Sequence, residues 1–333
     1  MRAIFEAGIG EDRAVILDSD RLVEAHIERP GIRVGDIWDA RLIALDAGRG
    51  RVTLGDEEAV LDAVPRAASE GGLLRVEVKR EPISPGRATG KPPQVRATGA
   101  TPGRAPGLVA PGPKLRDRLI ARGLALTDAA AHGPDLLEQV GWSETIEDAH
   151  LLRPIMFEGG ELVLDQTEAM LVIDVDGSLP PAPLALAAAD AAARAIQRFG
   201  VGGPTVIDFP TVADREIRKR IGEIVDSVLS PPFERTAVNG FGLMQIVRPR
   251  ERPSLIEHVG PDNLATDAHR LLRIAERAQG PGEAVISASA GVIGYLEHRP
   301  ALLAELERRT GRRAVLRVDP SQTMSGGHVH VQA

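Results

Sequence analysis

The sequence predicts a mixed fold, part α+β and part α/β, in two domains or three small pieces. Three observations carry the prediction. The first third holds short apolar runs punctuated by turn residues, the pattern of small β structure. A stretch rich in Pro and Gly, GATPGRAPGLVAPGP at 99–113, reads as a linker. From residue 159 onward, apolar strand-like runs alternate with helical segments, as in α/β units. A length of 333 residues suits that division.

Taken in order, IFEAG, AVILD and LVEAHIER within 1–34 are short strands, with turns at 8–12 and 18–20. They are expected to pack on the central domain. Five further runs, IWDARLIALD, GRVTLG, EAVLDAV, LLRVEVKR and PQVRAT, fill 35–98. Their number and spacing suggest a small OB-fold-like barrel. After the linker, 114–123 suits a short basic helix, and 124–150 is weakly patterned. ELVLD and AMLVIDVD are strands joined by a tight turn, 184–199 is a helix, and PTVIDF is a buried-type strand. Thr211 with Asp214 resembles an N-cap box opening a helix that ends near Leu229. GVGGP at 200–204 reads as a helix end and turn rather than a phosphate loop. With the strand FGLMQIVRPR, these elements form a central α/β domain over 114–255. A small C-terminal α/β domain over 256–333 follows, with helices at 264–279 and 300–309 and strands EAVISAS and RAVLRVD.

Composition narrows the function classes. Aromatics are only 3%, so the core rests on Leu, Ile, Val and Ala. The absence of cysteine excludes disulfides, thiolate zinc sites and cysteine nucleophiles, and fits a reducing compartment. No run reaches the roughly 18 apolar residues of a membrane span, and the N-terminus has no signal-type apolar core. A cytoplasmic protein without a membrane partner is the expectation. The net charge of −7 argues against a protein that grips nucleic acid by a global positive field.

The chemistry-bearing residues are carboxylates. Asp174 and Asp176 end the apolar run LVIDVD; at i and i+2 on a strand they point to one face. Asp208 ends a second apolar run, TVIDF, just before a helix. Sites in open α/β sheets gather at such strand ends. Carboxylates meeting there could hold magnesium, which takes one or two protein carboxylates and keeps several waters. The same residues also suit turn and helix capping, and the pattern by itself favours capping. His328 and His330 in HVHV share a strand face without an evident third ligand, so a polar-alternating strand is the better reading.

EGGELVLDQTEAMLVIDVDGS (158–178), AADAAARAIQRFGVGGPTVIDF (188–209) and NGFGLMQIVRPRERPSL (239–255) together resemble, in order, three blocks of the ribonuclease E/G family. RLVEAHIERPG (21–31) is similar to that family's N-terminal strand, 35–98 to its OB-fold RNA-binding domain, and the last 70 residues to its small C-terminal domain.

The resemblance implies a Mg²⁺-dependent endoribonuclease that cleaves single-stranded RNA. It implies that Asp174 and Asp208 are magnesium ligands, with Asp176 as a third catalytic residue where the family usually has Asn. Lys91, Arg87 and Arg96 fall where family members place basic residues near RNA phosphates. Trp38 and Phe241 are candidates to stack on bases, with a place in the core as the competing role of each. Arg248 and Arg250 are candidates for phosphate contacts. The chain departs from the family in its loop GSLPPAP, which lacks the usual Arg, and in the short segment 123–145, too brief for a 5′-monophosphate pocket. It also lacks the cysteines of the family's zinc link after Leu255, so no zinc is expected and any oligomer is not zinc-linked. These departures keep a second reading open, a catalytically inactive RNA-binding protein on the same scaffold. The barrel region adds little positive field, since 35–98 holds ten Lys/Arg and ten Asp/Glu.

Overall fold

Asp and Gly turns cut the N-terminal sequence into three strands, β1 (Arg2–Ala7), β2 (Asp12–Asp18) and β3 (Arg21–Glu28). The computed structural model describes residues 1–46, 48–83, 90–260, 264–322 and 326–332. The barrel region contributes β4 (Ile37–Asp46), β5 (Arg49–Leu54), β6 (Glu57–Leu61), β7 (Leu73–Arg80) and β8 (Gln94–Ala97). Beyond it come β9 (Gly107–Ala110), α1 (Leu115–Ala121), β10 (Ala125–Asp128) and α2 (Trp142–Leu151). The next stretch holds β11 (Ile155–Phe157), β12 (Gly160–Gln166), β13 (Leu171–Gly177), α3 (Pro181–Arg198), β14 (Gly203–Asp208), α4 (Arg215–Val228), β15 (Glu234–Arg235) and β16 (Leu243–Arg248). The last is α5 (Leu255–Val259), α6 (Leu264–Arg277), β17 (Glu283–Ala288), α7 (Ala290–Glu297), α8 (Pro300–Thr310), β18 (Ala314–Val318) and β19 (His328–Gln332).

These elements fall into two units. One comprises Met1–Pro30, Leu119–Ile146 and His258–Ala333. Its first sheet has the order β10-β1-β2-β3. The segment read as weakly patterned thus supplies a strand, β10, that runs parallel to β1. It also supplies Leu137 and Trp142, both buried. Arg13 is buried between the carboxylates of Glu6 and Asp135, its guanidinium 5.2 Å over the Trp142 ring. A buried charge survives only when paired and hydrogen-bonded, and here two carboxylates provide that. The C-terminal part is a three-stranded sheet, β18-β17-β19, with a core that includes Leu271, Ile286, Val292, Leu296 and Leu306. Helix α7 was absent from the expected elements; AGVIGYLE is almost wholly apolar, so it shows no helical stripe.

The other unit comprises Gly31–Arg118 and Glu147–Glu257. In its first part β4 pairs with β5 and with β7, so the order β4-β5-β6-β8-β7 closes on itself as a five-stranded barrel. β6 and β8 are parallel, and the remaining pairs of the ring are antiparallel. Alternating apolar residues such as Leu42, Val52, Leu61, Val76, Val78 and Val95 fill its interior. Within the stretch read as a linker, β9 pairs with the first residues of β4.

Candidate active site

The second part of this unit is a six-stranded sheet in the order β11-β12-β13-β14-β16-β15. β13 and β14 are parallel, joined through α3, and the other neighbours are antiparallel. Strand alternation gives the sheet two unlike faces. Leu162, Leu164, Ile173, Val175, Ile207 and Met244 are buried. Helix α3 packs on β11, β12 and β13 and is itself lined by alanines, among them Ala185, Ala188, Ala189 and Ala192, all buried. Helix and sheet meet closely at one end: a Cβ on Gly177 would lie 2.6 Å from Leu184 Cδ1, and one on Gly160 2.8 Å. Backbone crowds the same positions, a Cβ on Gly177 falling 2.5 Å from the Gly159 carbonyl oxygen and one on Gly160 2.5 Å from that of Asp176, so glycine is required at both.

The opposite face carries the acids. Asp174 and Asp208 are directly paired across the parallel β13–β14 register. Their backbones are therefore about 4.8 Å apart with side chains to the same side. Asp176 follows on the same face, opposite Glu161 of β12. All three aspartates are exposed. One oxygen of Asp174 accepts a hydrogen bond from the Val175 N–H at 2.9 Å. Among the described residues no Lys, Arg or His forms an ion pair with any of the three, and no group of three or more His, Asp or Glu is arranged to hold a metal. The arrangement offers a carboxylate pair rather than a triad. A pair is within what magnesium takes from protein, the rest of its shell being water and substrate oxygens.

Asp208 is pinned by the turn before β16. Gly242 has φ +98°, and a Cβ there would lie 2.1 Å from the Phe209 carbonyl oxygen and 3.6 Å from Asp208 Oδ1. The Phe209 N–H donates to the Gly242 carbonyl at 3.1 Å. Helix α4 then starts at Asp214, whose carboxylate accepts from the Glu216 and Ile217 N–H groups at 2.7 and 3.4 Å. The cap is thus Asp214 alone; Thr211 instead donates its hydroxyl to the Phe241 carbonyl at 3.4 Å.

Residues 123–251 match the Ribonuclease E/G family. That segment is of the ribonuclease E/G type. Ribonuclease G of Escherichia coli (strain K12) is 34% identical over 113 residues, 30% of this chain and 23% of that protein. Ribonuclease G of Haemophilus influenzae is 29% identical over 213 residues, 55% of this chain and 43% of that protein. Ribonuclease E of Escherichia coli (strain K12) is 28% identical over 215 residues, 56% of this chain and 20% of that protein. The matched stretches span less than half the length of each of these relatives.

The ribonuclease E/G match includes Asp174, Asp176, Asp208, Phe241, Arg248 and Arg250. Here Gly177 closes β13, the Ser178 N–H donates to the Gly159 carbonyl at 3.1 Å, and Pro180 immediately precedes α3. The loop GSLPPAP is consumed in starting the helix. The basic candidates are dispersed. Lys91 donates to the Glu168 carbonyl at 2.9 Å, so it bridges the barrel and the hairpin beside β13. Arg250 is ion-paired with Glu257 and lies against Gly203, whose Cβ would be 3.0 Å from Arg250 Cδ. Arg80, not singled out in the sequence, completes a cationic group with these two. Partial burial and the neighbouring charges of Arg250 and Arg80 hold the Lys91 ammonium below the usual lysine range. Arg248 donates to the Val201 carbonyl at 3.0 Å, and Arg96 is exposed and paired with Glu77 at 3.3 Å. Trp38 is half-buried against the barrel core. Arg87 lies outside the described residues. Phe241 is 81% exposed and lies two residues before Leu243, the register partner of Asp208. Asn239, which orients the Phe241 loop, was also missed; its only signal was the Asn-Gly pair, an ordinary turn marker. Among the described residues, no helix is long and apolar enough to cross a membrane.

Proposed function

We propose that this chain is a Mg²⁺-dependent endoribonuclease that hydrolyses phosphodiester bonds of single-stranded RNA in cytoplasmic RNA processing or decay. The observation that carries the reading is the direct pairing of Asp174 with Asp208 across β13 and β14 on the open face of the sheet. Both would hold the metal, with Asp176 as an orienting or auxiliary group one pleat further along. Magnesium bound there supplies water activation and stabilisation of the departing oxygen, with products carrying a 5′ phosphate and a 3′ hydroxyl. The chain's own residues supply the rest. Asp174 and Asp208 are fixed by strand register, and Asp208 is braced by the Gly242 turn. Lys91 and Arg80, next to the Arg250–Glu257 ion pair, offer a local positive group for RNA phosphates in a chain whose net charge is −7. The five-stranded barrel serves as an OB-type RNA-binding domain over 35–98, and 114–255 serves as the catalytic domain.

A second reading is an inactive RNA-binding protein on this scaffold. It is favoured by Asp176, which adds a negative charge where the family usually has Asn, and by a 177–180 loop with no arginine. One assay separates them. Unstructured RNA is incubated with the protein in Mg²⁺ and in EDTA, and product ends are mapped. Metal-dependent cleavage leaving 5′ phosphates supports the enzyme; RNA binding with no cleavage in Mg²⁺ overturns it.

A further inference from the structure

We propose that Phe241 is a stacking platform for one unpaired RNA base seated beside Asp208, and that Asn239 is the residue that positions it. The inference rests on the reading of the Asp174–Asp208 edge as the RNA site and adds how the strand is held there. A lone exposed apolar residue means little by itself. Here the exposure is enforced. The Asn239 side-chain oxygen accepts from the Phe241 N–H at 2.9 Å and from the Leu243 N–H at 3.1 Å. Backbone bonds between Asn239 and Leu243, and from the Gly242 N–H to the Asn239 carbonyl, close the same turn at 3.0 and 3.2 Å. Thr211 holds the Phe241 carbonyl from the other side. Gly242 is itself tied back, its carbonyl accepting from the Phe209 N–H at 3.1 Å, and its φ of +98° with no room for a Cβ admits only glycine at this corner. The ring is therefore held outward on a rigid support, two residues before Leu243, the register partner of Asp208. Rigid presentation is what a stacking contact needs, since little ordering entropy remains to be lost on binding.

The chemistry of the edge favours a neutral contact. Asp174, Asp176 and Asp208 repel phosphates unless a cation intervenes. A base has a neutral π-face, and stacking on an aromatic ring is tolerant of base identity. Among the described residues Phe241 is the one aromatic side chain left mostly in solvent. Base-paired RNA cannot offer a free face at this position, so the device selects single strands.

The test uses the full chain and an RNA dodecamer carrying 2-aminopurine at successive positions, bound in Ca²⁺ and read by fluorescence quenching. Wild type is expected to quench one position strongly. Phe241→Ala loses that quenching and about tenfold in affinity or cleavage, within the range for one stacked base, while Phe241→Trp retains both. Asn239→Ala reduces quenching severalfold, and Asn239→Asp, which keeps the acceptor oxygen, restores it. An abasic residue at the quenched position brings wild type down to the level of Phe241→Ala. Thermal melts of the variants report folding separately. Equal quenching in wild type and Phe241→Ala overturns the proposal, as does an abasic penalty that Phe241→Ala does not share. Phe241-dependent quenching without cleavage in Mg²⁺ upholds the stacking role and removes the nuclease reading instead.

Discussion

Asp174 and Asp208 reach one another because a parallel register aligns two residues 34 positions apart. If both hold magnesium, losing either carboxylate weakens the stabilisation of charge that develops on the phosphate. Such electrostatic contributions are worth several kcal/mol. Asp174→Asn and Asp208→Asn are each expected to lower single-turnover cleavage by roughly a hundredfold or more, with little change in melting temperature. Both side chains are exposed, so neither change buries an unsatisfied group. Asp176→Asn is the control. It removes a charge one pleat away and restores the residue usual in the family, so cleavage is expected to persist or rise. Cleavage by the Asp174 and Asp208 variants at the wild-type rate would remove the metal pair from the mechanism.

At the scale of elements, the site depends on where α4 begins. Its first turn leaves N–H groups unsatisfied, and the Asp214 carboxylate accepts from two of them. Asp214→Ala is expected to cost about 1 kcal/mol in urea denaturation, and Asp214→Ser to recover most of it. The same experiment discriminates the role of Thr211. Its hydroxyl serves the Phe241 turn rather than the helix, so Thr211→Ala is expected to leave stability nearly unchanged while loosening the loop. A cost for Thr211→Ala equal to that for Asp214→Ala would contradict this assignment.

For the whole molecule, buried charge sets the response to acid. Burial, reinforced by the nearby Arg29 charge, pushes His258 down to about 4 from its ordinary value near 6.5; Glu11 opposes this and His26 adds to it. Its neutral form is the folded one, and the unfolded chain takes up the proton first as pH falls. Stability from this group is complete above about 6.5 and is lost between there and 4. Burial works against ionising Glu11, but Arg29 and Arg273 overcome it and hold its carboxyl near 2. That contribution is present above the usual carboxylate value of 4.5 and is lost as pH falls towards 2. Both slopes have one sign, so the melting temperature is expected to fall continuously on acidification, and His258→Gln to flatten the part between 6.5 and 4. A melting temperature unchanged between pH 7 and 4 would contradict the network. Two expectations concern larger departures from the family. Metal analysis is expected to find no stoichiometric zinc, since no cysteine is present; about one zinc per two chains would refute that. RNAs with 5′ monophosphate and 5′ hydroxyl ends are expected to be cleaved within about threefold of each other, roughly 0.65 kcal/mol; a preference above tenfold would reveal a pocket.

Local alternation of apolar and polar residues determined the five barrel strands, the LVIDVD and TVIDF strands and the amphipathic α4 and α6, because side-chain periodicity is written within a few residues of each position. The resemblance of 158–255 to a known family was likewise legible, since it lies in contiguous blocks. Tertiary structure alone decided which strands became neighbours. The parallel partner that 125–128 finds in β1 lies more than a hundred residues away, and no local pattern announces it. The alignment of Asp174 with Asp208 rather than a neighbour is a register, and a one-residue slip would have turned one carboxylate to the helix side. The same holds for aromatic residues whose sequence context left two fates open. Trp38 has a barrel core to pack against and is half-buried, whereas the clamp from Asn239, Thr211 and Gly242 denies Phe241 any such partner and leaves its ring in water. Contacts between residues distant in the chain are settled by packing and by the satisfaction of backbone hydrogen bonds, quantities that exist only once the chain has closed on itself.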